Sequence, residues 1–195
     1  LYVEAELGPY ALQTRIKQRY EALGVDPPEG LFYVSKPRGW LLDTSEGIAK
    51  LSGEIAATGA RVVIIDPVSR FVLGDENSNT DMNRLFGQFN ELMVRYPGLS
   101  LVLVHHHRKP WQEDETDELS PHRFRGASVF FADPDTLVVF KRLPAGRSTE
   151  WWRLKVRFEM RQAENPEGIV LAVKKGGLIA PAAGALPIAE AKKWR

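Results

Sequence analysis

Four aliphatic residues in a row followed by Asp-Pro, Val62-Val63-Ile64-Ile65-Asp66-Pro67, constrain this chain more than any other stretch. All four are β-branched, a side-chain shape that favours the pleated strand. No polar residue alternates with them, so the pattern predicts burial on both faces, the habit of a central strand in a parallel sheet. Parallel strands need long crossovers, most often helices. The flanking sequence should therefore alternate strand with helix.

It does. Leu1 to Ala5 reads as a short strand, broken by Gly8-Pro9. Leu12, Ile16, Tyr20 and Leu23 then share a helical face that stops at Gly24. Leu31 to Val34 is a brief strand. Asp43 is placed to cap a helix through Ile48, Leu51 and Ile55, with Glu46 completing a capping box. After Asp66, Thr80 is placed to cap a long helix carrying Met82, Leu85, Phe86, Phe89, Leu92 and Met93. Leu99 to Val104 is a second buried strand running into His105-His106-His107. Arg125 to Ala132 reads as a short helix and Thr136 to Phe140 as a further strand. From Trp151 to Phe158 the pattern alternates, with Trp152, Leu154, Val156 and Phe158 opposite Arg153, Lys155 and Arg157. Gly168 to Val173 is another strand. The expected fold is α/β: a three-layer core around a mainly parallel sheet, residues 1–175, with an antiparallel β-ribbon at its C-terminal side. Residues 176–195 are rich in Ala, Gly and Pro and read as a tail or linker.

Composition excludes several classes. The chain of 195 residues has no cysteine, which removes disulfide scaffolds, thiolate metal sites and a Cys nucleophile. Its 26 basic and 25 acidic residues balance, so it is not a uniformly basic nucleic-acid coat. The longest aliphatic runs fall far short of the ~20 residues of a membrane helix. No signal peptide opens the chain, and the cytoplasm is the expected compartment. Leu1 already reads as strand, which leads to the expectation of further sequence upstream.

In open α/β sheets ligands gather at the carboxyl ends of the strands. That rule makes the end of the first strand, Asp66 and the histidine run neighbours. Asp66 offers a hard oxygen to Mg²⁺, through water. Glu6, with Glu4 as its competitor two residues earlier, is placed to deprotonate an attacking water. A metal-dependent hydrolase built on Asp66, His105 and His107 is a separate reading. Residues 141–161 carry seven basic and two acidic residues, with Trp151 and Trp152 beside them. Such a ribbon suits nucleic acid or a phosphate on a neighbouring subunit. Glu113 to Glu118, five acidic residues in six, does not.

The order of Tyr2-Val3-Glu4-Ala5-Glu6, Val62-Val63-Ile64-Ile65-Asp66, the His-His-x-Arg-Lys stretch His105–Lys109 and Arg125-Gly126-Ala127-Ser128 resembles the RecA-like hexameric replicative helicase ATPases of the plasmid RepA type. Lys155-x-Arg157 resembles the basic finger pair of related ring helicases. The resemblance runs from residue 1 to about 175. It implies ATP and Mg²⁺ as cofactors, single-stranded DNA as partner, and a homo-oligomeric ring, as a hexamer. It implies Glu6 as the base, Asp66 at Mg²⁺, His106 as the sensor of the γ-phosphate, and Arg125, Lys155 and Arg157 as further catalytic cations. The family's phosphate loop, GxxxxGK[ST], does not occur in the 195 residues. The resemblance places it upstream of Leu1. The alternative is a degenerate, non-catalytic binding or assembly module of the same fold.

Overall fold

A computed structural model of the chain describes residues 1–106, 127–143, 151–174 and 179–181. The described residues form two compact units. One contains Leu1–Arg15, residues 27–106 and residues 127–133; the other contains Ile16–Asp26 and the described residues from 134 onward.

The first unit is built on four parallel strands: β1 (Tyr2–Glu4), β2 (Tyr33–Ser35), β3 (Val62–Asp66) and β4 (Ser100–Leu103), in the order β2-β1-β3-β4. The helices are α1 (Pro9–Leu23), whose residues from Ile16 onward belong to the second unit, α2 (Ser45–Thr58), α3 (Asn79–Arg95) and the one-turn α4 (Val129–Ala132), with a 3-10 turn at Val68–Phe71. Register puts Tyr2, Glu4, Ile64 and Asp66 on one face of the sheet, and Val3, Val63 and Ile65 on the other. The second set is fully buried and packs in one cluster with Ile48, Leu51 and Ile55 of α2 and Leu85, Phe89 and Leu92 of α3.

The expectation of burial on both faces of β3 is corrected. Val62 is 48% exposed, as are large parts of Tyr33 and Val102 on the same face. Helices α2 and α3 cover one face of the sheet, and α1 buries only Leu12.

Two helix starts also differ from the sequence expectation. Thr44, not Asp43, caps α2, its hydroxyl accepting the Gly47 amide at 3.2 Å. Asp43 is buried and turned instead to the Leu73 and Gly74 amides, at 2.8–3.0 Å. Ser78, not Thr80, caps α3 by accepting from Asp81. Neighbouring residues of cap type compete at each start, and the winner is set by where the chain enters the helix.

The second unit is an antiparallel sheet ordered β5-β6-β7-β8, from β5 (Thr136–Arg142), β6 (Trp151–Met160), β7 (Ile169–Lys174) and β8 (Ile179–Pro181). The last falls inside the segment expected to be a tail; the rest of residues 176–195 lies outside the described residues. The ribbon does not divide into one buried apolar face and one solvated basic face. Val139, paired with Arg157, is buried, whereas Phe140, paired with buried Val156, is 57% exposed. Alternation along β6 alone does not set burial, because the partner strands contribute half of each face.

Candidate functional site

The carboxyl ends of β1, β3 and β4 are knitted together by backbone bonds. The Ala5 amide donates to the Asp66 carbonyl at 3.0 Å, Val104 to Ile65 at 2.9 Å, and Val68 to Val104 at 2.9 Å. Three successive strand ends are thereby fixed side by side, and the chemistry-bearing side chains stand on them.

Asp66 ends β3, half-buried, and its Oδ2 accepts the Tyr2 hydroxyl from β1 at 2.5 Å. Burial pushes the Tyr2 hydroxyl well above the usual tyrosine range. Its bond to Asp66, and the negative charges of Asp66 and Glu4, push it further the same way. The proton therefore stays on the tyrosine, and Asp66 is held as the acceptor.

The two glutamates take different parts. Glu4 is 3% exposed, and its Oε1 accepts the Glu6 amide at 2.6 Å and the Leu7 amide at 2.5 Å. It is a clamp on the turn that leaves β1. Glu6 emerges from that turn into solvent. Its Oε1 lies 3.7 Å from Arg70 Nε and 3.9 Å from His106 Nε2. The structure thus brings Glu6, His106 and Arg70 together, from the ends of three different strands.

Arg70 and Tyr2 were not singled out by sequence reasoning. The signal for Arg70 was its position four residues after Asp66, where a tight turn returns the chain to the strand ends. Nothing in the sequence marks Tyr2 beyond its place two residues before Glu4.

His105 does not join this group. Its ring stacks on Phe130, centroids 4.4 Å apart and 24° between planes. Among the described residues no group of three His, Asp or Glu is placed to hold a metal ion. His107 and Arg125 lie outside the described residues. Of the Arg-Gly-Ala-Ser stretch, Ala127 donates its amide to the Glu76 carbonyl at 2.7 Å, and Ser128 donates its amide and hydroxyl to Asn79 Oδ1. These bonds tie the stretch to the loop before α3. In that loop the Asn77 backbone and side-chain amides hold the Asp75 carboxyl below its usual range.

Lys155 and Arg157 belong to the second unit, on β6. Arg157 Nη2 pairs with Glu159 Oε1 at 2.6 Å, two residues along the same face. Lys155 stands opposite Lys141 of β5. On the other face Arg142 lies over the Trp152 ring at 5.3 Å.

A parallel sheet whose strand ends present Asp66, Glu6 and His106 carries its polar side chains at the edge where open α/β sheets hold their ligands. A family model described as an AAA domain matches residues 1–112, more than half of the chain. The chain belongs to that family, which is of the P-loop ATPase type. A search of the curated proteins returns no match. Among the described residues no helix is long and apolar enough to cross a membrane.

Proposed function

We propose that the protein is the core of a RecA-like ATPase that couples ATP hydrolysis to work on single-stranded DNA as a homo-oligomeric ring, in the manner of a replicative helicase. The observation that carries the reading is the convergence of Glu6, His106 and Arg70 at the strand ends beside Asp66.

The residues fit ATP and Mg²⁺ at this edge. Asp66 Oδ2 is committed to Tyr2, which leaves Oδ1 for a water ligand of Mg²⁺. When bound, Mg²⁺ neutralises charge gathering on the β- and γ-phosphates. Glu6, projected from the turn that Glu4 holds, accepts the proton of the attacking water. Arg70, next to the Glu6 carboxylate, orients it. His106 Nε2, 3.9 Å from the same Glu6 oxygen, would read the γ-phosphate. Lys155 and Arg157 act in trans, each ribbon serving the site of a neighbouring subunit, where a finger cation is worth roughly 10³–10⁵ in rate. Arg125 contributes a further cation.

Hydrolysis by the protein as its gene encodes it tests the reading. ATP turnover should depend on Mg²⁺, rise with single-stranded DNA, and disappear in Asp66→Asn. Mixing Arg157→Ala with Glu6→Gln protein tests the trans assignment. Each alone should be inactive, and mixed rings should regain turnover wherever an intact site meets an intact finger. Full activity of Arg157→Ala alone would remove the finger role. A protein that binds no ATP at all is the binding module instead.

A further inference from the structure

Two successive histidines follow β4, and their surroundings differ. His106 is exposed and stands 3.9 Å from Glu6, which is exposed too. A contact between two exposed polar side chains holds either of them only weakly. His105 is half-buried, and its ring lies on Phe130 with centroids 4.4 Å apart and 24° between planes. That separation is at the close end for aromatic pairs.

Phe130 is a fixed surface. It is 5% exposed, and the Phe86 ring of α3 meets it edge-on at 5.5 Å and 77°. The one-turn α4 that carries it is moored beside the start of α3. Ser128 gives its amide and hydroxyl to Asn79 Oδ1 at 2.9 and 3.1 Å, and Ala127 gives its amide to the Glu76 carbonyl at 2.7 Å. On the strand side of the stack, the Val104 amide donates to the Ile65 carbonyl at 2.9 Å. His105 is thus held twice, by the backbone just before it and by its own ring. One planar peptide unit joins it to His106, so the direction in which His106 departs is set there.

We infer that His105 is a positioning residue, whose stack on Phe130 aims His106 at Glu6. What position 105 needs is a flat ring, not an imidazole. Phe130 acts through His105, and His105 acts through His106. This rests on the proposed parts of Glu6 and His106 in hydrolysis, and gives the neighbouring histidine a part of a different kind. It also gives α4 a part, as the abutment against which the histidine pair is set.

The first readout needs no ATP. Ring-proton NMR signals of His106 are followed in the full chain as Glu6→Gln is introduced into four backgrounds: wild type, His105→Phe, His105→Leu and Phe130→Leu. His105→Phe keeps a flat ring, His105→Leu keeps apolar bulk without one, and Phe130→Leu removes the other half of the stack. The Glu6 change should move the His106 signals in the wild type and in His105→Phe. In His105→Leu and Phe130→Leu that movement should fall to less than about half. Thermal unfolding of each background reports the fold, and should Phe130→Leu unfold, the two His105 variants decide. The second readout is steady-state ATP hydrolysis by the protein as its gene encodes it. His105→Leu should lower kcat by roughly 10–100-fold with KM unchanged, within what a misplacement of about 1 Å costs, and His105→Phe should restore it. An undiminished His106 response in His105→Leu overturns the inference, as does a wild type with no response. A loss in His105→Phe equal to that in His105→Leu also overturns it, because the imidazole and not the flat ring would then be what position 105 needs. A wild type that hydrolyses no ATP removes the hydrolytic reading, while the NMR comparison still decides whether His105 aims His106.

Discussion

The Tyr2 hydroxyl donates to Asp66 across the β1–β3 boundary, a bond of 2.5 Å between residues 64 positions apart. Burial first, then this bond, raises the tyrosine above its ordinary value. Its proton is therefore held more tightly in the folded chain than in the unfolded one. The stability this contributes is complete below the ordinary tyrosine value near 10 and declines as pH rises through and beyond it. Urea unfolding between pH 8 and 11 should show a steeper alkaline loss in the wild type than in Tyr2→Phe. Parallel curves would mean that the tyrosine does not carry this linkage.

Glu4 and Glu6 should separate cleanly in stability. Glu4→Ala orphans two amides that now bond a carboxylate, each such bond contributing about 1.5–3 kcal/mol. We expect a loss of roughly 3 kcal/mol, with Glu4→Gln losing about 1 because its carbonyl still accepts. Glu6→Gln should unfold like the wild type. Chemical denaturation of the three variants gives the comparison, and equal losses at both positions would contradict the clamp.

Activity should separate the other way. In the protein as encoded by its gene, Glu6→Gln should keep ATP binding and lose hydrolysis by roughly 10²–10⁴-fold, the usual worth of a general base. Steady-state rates and a nucleotide-binding titration on the same preparation decide it. Loss of binding together with rate would make Glu6 part of the grip on the nucleotide.

Gly47, in the first turn of α2, faces the backbone of Leu41 so closely that an added Cβ would sit 2.0 Å from the Leu41 carbonyl oxygen. Backbone cannot give way as a flexible side chain can. Gly47→Ala should cost roughly 3 kcal/mol, the upper end for overpacking, whereas Gly53→Ala, with open space around it, should be neutral or stabilising. Melting temperatures of the two variants check the contrast.

The strands were legible where the chain speaks locally. Val62–Asp66 and Ser100–Leu103 stand out because consecutive β-branched and aliphatic residues have few other uses. Asp66, Glu6 and the histidine run were legible as strand-end residues, His106 being singled out within the run only by the family resemblance, and the parallel order brings Glu6 and His106 together. Tyr2 and Arg70 were not, since their roles come from sheet register and from one tight turn, neither of which leaves a mark in composition. The division of labour between Glu4 and Glu6 was hidden for a related reason: alternation gives both the same face, and only the turn after β1 sends one inward and the other out. Burial of the ribbon misled because β6 was read without its partners. Val139 and Phe140 decide which positions are covered, and they lie on β5.

Glu6 and His106 meet at 3.9 Å although 100 positions of sequence separate them. At a synthesis rate of roughly 5–20 residues per second, Glu6 leaves the ribosome about 5–20 s before its histidine partner does. Contacts so distant along the chain are also the slow ones to form. A nascent chain therefore passes through a long interval with its first strand made and its cluster incomplete. No short peptide excised from either end would carry the arrangement.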